Sequence, residues 1–231
     1  MSRGAVIAAF EGELGPLTRG WGRANAAGAA LWSRRSGETE ITAACAGAGA
    51  AAAERAFRAA EEGGRIDWVA SIGWAGALNE GLVAGKAYPV AELVDAAGGE
   101  RFKAASLPLA AAPPGLRLVS VQRVAGLEEK QGLRADFGAD LVDMEGAAVA
   151  RMAKERGIPF YCVKGVSDGA GEPLPDLNRF MGADGAFRTA PFVGYALLRP
   201  RYWAGLIRMG IHSRRAAGDI AKILEDLIAP R

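Results

Sequence analysis

The chain predicts an α/β fold: a single three-layer α/β/α domain over 1–231, with a mixed, largely parallel central sheet. Three observations carry that expectation. Short apolar runs alternate with amphipathic stretches along most of the 231 residues, the order produced by parallel strands and crossover helices. Glycine accounts for 32 residues, and many stand where an apolar run stops, so the chain needs many tight turns or close backbone approaches. Half of the residues are hydrophobic and 23% are charged, which at this length allows the chain to bury a core of its own.

Each element follows from its local pattern. Residues 5–10 (AVIAAF) read as a buried strand and 39–46 (TEITAACA) as another, followed by Gly47, Gly49 and a helix over 50–62. Residues 66–72 form a third strand, with a glycine-bearing turn over 71–78 at its end. Residues 86–93 and 116–121 are further strands. A helix is expected over 128–136, a strand over 140–144, and a helix over 146–156 with Ala147, Val149, Ala150 and Ala153 as its apolar positions. The run 159–166 (PFYCVKGV) is β-rich and mostly apolar, as in a strand covered on both faces. Pro113-Pro114 and 173–175 mark loops. A helical C-terminal extension begins at about 193, breaks near Pro200 and ends over 216–228. Its last part sets Ile220, Ile223, Leu224, Leu227 and Ile228 on one face. No linker or internal repeat divides the chain.

Bulk chemistry excludes several classes. Lys and Arg number 28 against 26 Asp and Glu, so there is no net basic excess of the kind that binds nucleic acid. Cys45 and Cys162 lie far apart in apolar segments and read as buried free thiols of a reducing compartment. His212 is the single histidine, which argues against a metal cluster and for a structural or surface role; no metal and no cofactor is expected. The first ten residues are too short and too soon polar for a secretory signal. Charged residues interrupt every apolar run before a bilayer-spanning length is reached. A soluble, cytoplasmic chain is expected.

In open α/β sheets, ligands bind beyond the carboxyl ends of the strands. Three such ends stand out. In 71–78 (SIGWAGAL) the glycines permit close approach of a ligand, although the same pattern marks plain turns. In 142–149 (VDMEGAAV), Glu145 stands where a strand hands over to a helix. There the helix dipole favours an ionised carboxylate, and a capping acid is the competing reading. In 163–169 (VKGVSDG) a buried-type strand ends in Ser167-Asp168, an acid that also suits the start of a turn. Lys164, inside that strand, needs an ion partner or a path to solvent.

VDMEGAAVA followed by GIPFYCVKGVSD resembles the purine/uridine phosphorylase superfamily, which includes the methylthioadenosine/S-adenosylhomocysteine nucleosidases. SIGWAGALNEGLVAGKAYPV and AVIAAFEGEL fit the same pattern, and the likeness covers about residues 4–170. The VDMEG form, SVQRVAGLEEKQGLR and Leu198-Arg199-Pro200 are most similar to hopanoid-associated phosphorylase-like nucleosidases. The resemblance implies a nucleoside phosphorylase-like domain that cleaves the N-glycosidic bond of a purine nucleoside, with adenine the expected base.

Roles follow from the resemblance, residue by residue. Asp168 would protonate the leaving purine at N7, its pKa raised by partial burial, with Ser167 orienting it. Glu145 would accept hydrogen bonds from the ribose 2′- and 3′-hydroxyls, and Met144 would pack on the sugar. Glu13, rather than Glu11, would activate water. Trp74 and Gly76 would line the substrate site. Gln122 and Arg123 fall in the base-binding segment, which here lacks the stacking aromatic common in the family. Ser71 and Trp74 stand where hexameric phosphorylases carry Arg and Ser, which favours water over phosphate as the nucleophile. Phosphorolysis is the runner-up, and a non-catalytic nucleoside-binding module is the reading from another class.

The expected partner is a small-molecule nucleoside, with no nucleic acid. Family sites are commonly completed between subunits, so the resemblance also implies a homo-oligomer, most simply a twofold dimer. In the tail, Tyr202, Trp203, Leu206, Ile207 and Met209 interleave with Arg199, Arg201, Arg208, Arg214 and Arg215. That mixture fits a packed helix pair with solvated arginines. It also fits peripheral membrane contact or admission of an amphiphilic nucleoside such as an adenosylhopane.

Overall fold

In the computed structural model the described residues are 2–107, 115–182 and 184–228. The chain runs through β1 (Ser2–Ala8), α1 (Glu11–Leu14), β2 (Gly22–Ala26), β3 (Ala29–Ser36), β4 (Thr39–Cys45), α2 (Ala50–Glu61) and β5 (Trp68–Ala77). It continues through β6 (Ala87–Asp95), β7 (Arg101–Lys103), β8 (Leu116–Ser120), α3 (Leu127–Phe137), β9 (Leu141–Asp143), α4 (Gly146–Arg156) and β10 (Phe160–Asp168). Helices α5 (Thr189–Leu197) and α6 (Trp203–Ile228) complete it. The loop expected at Pro113-Pro114 lies outside the described residues.

The strands form one mixed sheet. Along it the order is β2-β3-β4-β1-β5-β9-β8-β6-β10, with β7 beside β6, and β10 also pairs with β5 to close a ring. Strand β1 explains its own central place: Ala5, Val6, Ile7 and Ala8 are all buried, and parallel neighbours flank it on both edges. A strand covered on both faces reads as a continuous apolar run rather than an alternating one.

Helices cover both faces. On one, the alanine-rich α2 lies close to α4 and buries Ala52, Ala53, Ala56 and Phe57. On the other, the second half of α6 packs on β5, β6 and β10 through Ala216, Ile220, Leu224 and Ile228, with Ile223 and Leu227 partly buried beside them. The three-layer α/β expectation holds.

Three local expectations change. The segment 71–78 is not a turn, because β5 runs on through it to Ala77, held by β10 and then β9. The β2–β3 hairpin was not foreseen. Strand β2 is largely exposed at the sheet edge while β3 buries Ala29, Trp32 and Ser36, and the hairpin turns at Ala27-Gly28, both at positive φ, without the usual Asn-Gly signal. The helical tail begins at Thr189 rather than near 193, because Ala190 and Pro191 suit a first turn. Among the described residues no helix is long and apolar enough to cross a membrane.

Candidate active site

The ends of β1, β4, β5, β8, β9 and β10 meet at one cavity of about 640 Å³. Asp168, Glu13, Glu145, Met144, Ser167, Trp74, Gly76 and Arg123 all line it, although they come from five separate stretches of chain. Gln122 does not: it is exposed beside the cavity, while Val121 and Val124 on either side of the Gln122-Arg123 pair face inward.

Glu13 leaves β1 through the short α1 and is buried. Its Oε2 accepts hydrogen bonds from the amides of Ala9 and Phe10, each at 2.8 Å, and its Oε1 accepts one from Trp74 at 2.6 Å. Burial nevertheless pushes its pKa upward, against those amides and the nearby Lys164 charge. The geometry explains Gly73: it sits at φ +138°, and a Cβ there would lie 2.6 Å from Glu13 Oε1. Glu11 also borders the cavity, but it is exposed and paired with Arg23 at 2.7 Å.

Glu145 sits at the start of α4, but its side chain does not cap that helix. Its Oε1 accepts from the Gly49 amide at the start of α2, at 2.7 Å. Its pKa rises to about 8, first through burial and then through the adjacent Asp143 charge, with Lys164 opposing. Burial and a like charge thus act against the ionised form that the helix dipole favours.

Lys164 is fully buried, and its partner is Asp143, with the Nζ 2.9 Å from Oδ2. Lys164 also donates to Ser71 Oγ at 3.1 Å, and its pKa is raised by the acids around it despite burial. Asp143 accepts from Ser120 Oγ at 2.6 Å and the Gly146 amide at 2.9 Å. Three buried acids (Glu13, Asp143 and Glu145) thus share one buried ammonium. Burial raises Glu13 and Glu145, and the shared ammonium opposes that rise only in part.

Asp168 has a separate cation. Lys130 of α3 forms an ion pair with its Oδ2 and donates to the Gly169 carbonyl at 2.9 Å. Ser167 Oγ lies 2.6 Å from Asp168 Oδ1 and 3.3 Å from the Ala75 carbonyl, so its one proton can serve either acceptor. A register shift between Val166 and Asp168 sets Asp168 opposite Gly76. A Cβ at Gly76 would come within 3.1 Å of Lys130 Cε and 3.3 Å of Asp168 Oδ2, so the absence of a side chain leaves room for the pair. Trp74 contributes a wall rather than a ligand donor, since its indole N–H donates to the Ser213 carbonyl at 2.8 Å.

Comparison with known proteins bears on the fold. Residues 102–190 match the model of the Phosphorylase superfamily, a stretch that holds Lys130, Asp143, Glu145, Lys164 and Asp168. The apo 5′-methylthioadenosine nucleosidase of Arabidopsis thaliana superposes with a TM-score of 0.75 at 19% identity, over 100% of this chain and 97% of that one. The 5′-methylthioadenosine/S-adenosylhomocysteine nucleosidase of Helicobacter pylori, solved with butyl-thio-DADMe-Immucillin-A, gives 0.73 at 18% over 99% and 98%. Native futalosine hydrolase of the same species gives 0.73 at 16% over 98% and 97%.

The chain has the phosphorylase-superfamily fold.

Curated relatives add little. Uncharacterized proteins of Mycobacterium bovis and Mycobacterium tuberculosis are each 49% identical over 37 residues, 16% of this chain, and the match spans half of their length. Within the superfamily fold, two parts of the site escape a reading of the sequence. Lys130 sits in EEKQGLR, which looks like a solvated helix face, yet it is the buried member of α3. Aromatic walls come from Phe187 and Phe192, more than sixty positions beyond the base-binding segment where an aromatic was sought. Asn178 ties that segment down, accepting from the Val124 amide at 2.8 Å and donating to its carbonyl at 3.0 Å.

Proposed function

We propose that the chain is a nucleosidase that uses water to cleave the N-glycosidic bond of a purine nucleoside, with adenine the favoured base. The observation that carries this reading is the convergence of Glu13, Glu145 and Asp168 on one cavity.

Each acid has surroundings suited to one task. The leaving purine needs a proton, and Asp168 is the acid assigned to deliver it. With the proton on Oδ1, Ser167 turns its hydroxyl toward the Ala75 carbonyl and accepts from the acid, with no heavy atom moved. Once the proton has passed to the base, Ser167 donates back, and Lys130 balances the carboxylate left behind. Glu145, beside Met144, faces the cavity as the hydroxyl anchor for ribose. Glu13 keeps room for a water, because three amides leave part of its accepting capacity free. Such acid–base assistance is worth about 10²–10⁴-fold per group.

Two further features support the details. Arg123 and Lys130, the cations in the described lining, are engaged by Glu129 and Asp168, which favours water over a phosphate dianion. Leu174, Leu177, Met181, Phe187, Phe192 and Met209 give the cavity an apolar wall away from the three acids. That wall suits a nucleoside with an apolar 5′ group. Incubating the protein with adenosines that differ at the 5′ position, and scoring released adenine by chromatography, tests the reading. Release should rise with an apolar 5′ group, and no release from any of them would refute it.

A further inference from the structure

Outside the cavity, the tail carries a surface that the reaction does not use. Most of the large exposed apolar side chains lie on it: Val193 and Leu197 on α5, Leu198 in the turn, and Trp203, Ile207 and Ile211 on α6. Exposure reaches 63% at Leu197, 80% at Leu198 and 62% at Ile207. Trp203, Ile207 and Ile211 recur every fourth residue and so form one stripe along α6. None of the residues of α5 is buried, although the helix is mostly apolar. A contiguous apolar face of this kind marks an interaction site rather than ordinary surface.

The charge around it is one-sided. Residues 185–218 contain six arginines and no aspartate or glutamate, so the rest of a chain of net charge +2 carries −4. Arg199 lies over the Tyr195 ring at 3.8 Å and Arg201 over Tyr202 at 4.7 Å. These contacts tie both guanidinium groups to the tyrosines of α5 and of the turn. Arg208 reaches Glu172, at 3.2 Å. Exposed Leu, Ile and Trp set among arginines, with Glu172 paired to Arg208 at one side, complement a surface that is apolar beneath and anionic above.

We propose that the face formed by α5, the turn at Pro200–Tyr202 and the first half of α6 docks on an anionic lipid bilayer. Leu197, Leu198, Trp203 and Ile207 enter the acyl boundary, and the arginines meet the phosphate headgroups. The same two helices supply Phe192 and Met209 to the cavity wall, so docking sets the cavity's apolar side close to the lipid. The proposal does not depend on the reaction assigned to the cavity.

Flotation of the full chain with vesicles tests it, comparing phosphatidylcholine alone with phosphatidylcholine containing phosphatidylglycerol. The chain should partition about tenfold more onto the anionic vesicles, and high salt should reduce that binding. The triple variant Leu197→Glu, Leu198→Glu, Ile207→Glu, with an unchanged circular dichroism spectrum, should lose it. Its release of base from a soluble nucleoside should match that of the parent, which separates this test from the catalytic one. Absence of parent binding to anionic vesicles overturns the proposal, as does equal binding by the triple variant. Light scattering in which the parent is a dimer and the variant a monomer, with no vesicle binding by either, makes the face a contact between copies and also overturns it.

Discussion

Replacing Lys164 by methionine keeps most of the side-chain volume in β10 and deletes the ammonium paired with Asp143. The Lys164–Asp143 separation of 2.9 Å corresponds to about 6 kcal/mol of Coulomb attraction at an effective dielectric of about 20. Part of this is offset by the cost of burying the ammonium, which the variant no longer bears. Asp143 retains Ser120 Oγ and the Gly146 amide as donors, so its charge is not wholly abandoned. The balance falls in the range for breaking a buried pair, about 3–5 kcal/mol. For a chain of this length that lowers Tm by about 6–20 °C. Urea unfolding followed by circular dichroism measures the loss directly. Adding Asp143→Asn should recover at least half of it, since the amide oxygen still accepts a hydrogen bond and no charge remains. A loss under about 1 kcal/mol, or no recovery in the double variant, would refute the ion-pair account.

Other consequences follow from the same geometry. Asp168→Asn leaves the buried Lys130 without its carboxylate, so it should melt about 6–20 °C lower while still folding, and at a temperature where it is folded it should lose about 10²–10⁴-fold in base release. Lys130→Met removes the cation that balances the Asp168 carboxylate. Base release should fall about 10–100-fold, with a changed pH–rate profile as the readout that a purely structural role would not move. Glu145 holds a proton in the folded chain up to about pH 8, against 4.5 when unfolded, so its contribution to stability is full below 4.5 and is lost as pH rises through 8. Thermal melts at pH 5 and pH 8 should therefore show a smaller fall in Tm for Glu145→Gln than for the parent.

Much of the framework was legible in residue order. Apolar runs such as AVIAAF and PFYCVKGV can be satisfied only by strands buried on both faces, and glycines at their ends mark where the chain must turn or be approached. Glu13, Glu145 and Asp168 were legible because each follows a strand in a motif with family character. Their protonation was not. Burial is the first cause of the raised Glu145, with Asp143 and Lys164 acting on it in opposite directions, so a terminal dipole is a weak guide there. Lys130 was hidden for a similar reason: its partner lies 38 residues away, and EEKQGLR on its own describes a solvated helix face. The segment 71–78 misled because its glycines suggest a turn. One of them, Gly73, instead lets a continuing strand pass a carboxylate oxygen.

The central claim is that water, with Glu13 and Asp168 on either side of the glycosidic bond, completes the cleavage. The most direct measurement is a single-turnover reaction on an adenosine with an apolar 5′ group, with and without inorganic phosphate, with the sugar product identified by mass spectrometry. The account predicts adenine and the free 5′-substituted ribose in both cases, at the same rate. Formation of the 5′-substituted ribose 1-phosphate, with a rate that rises with phosphate, would contradict it.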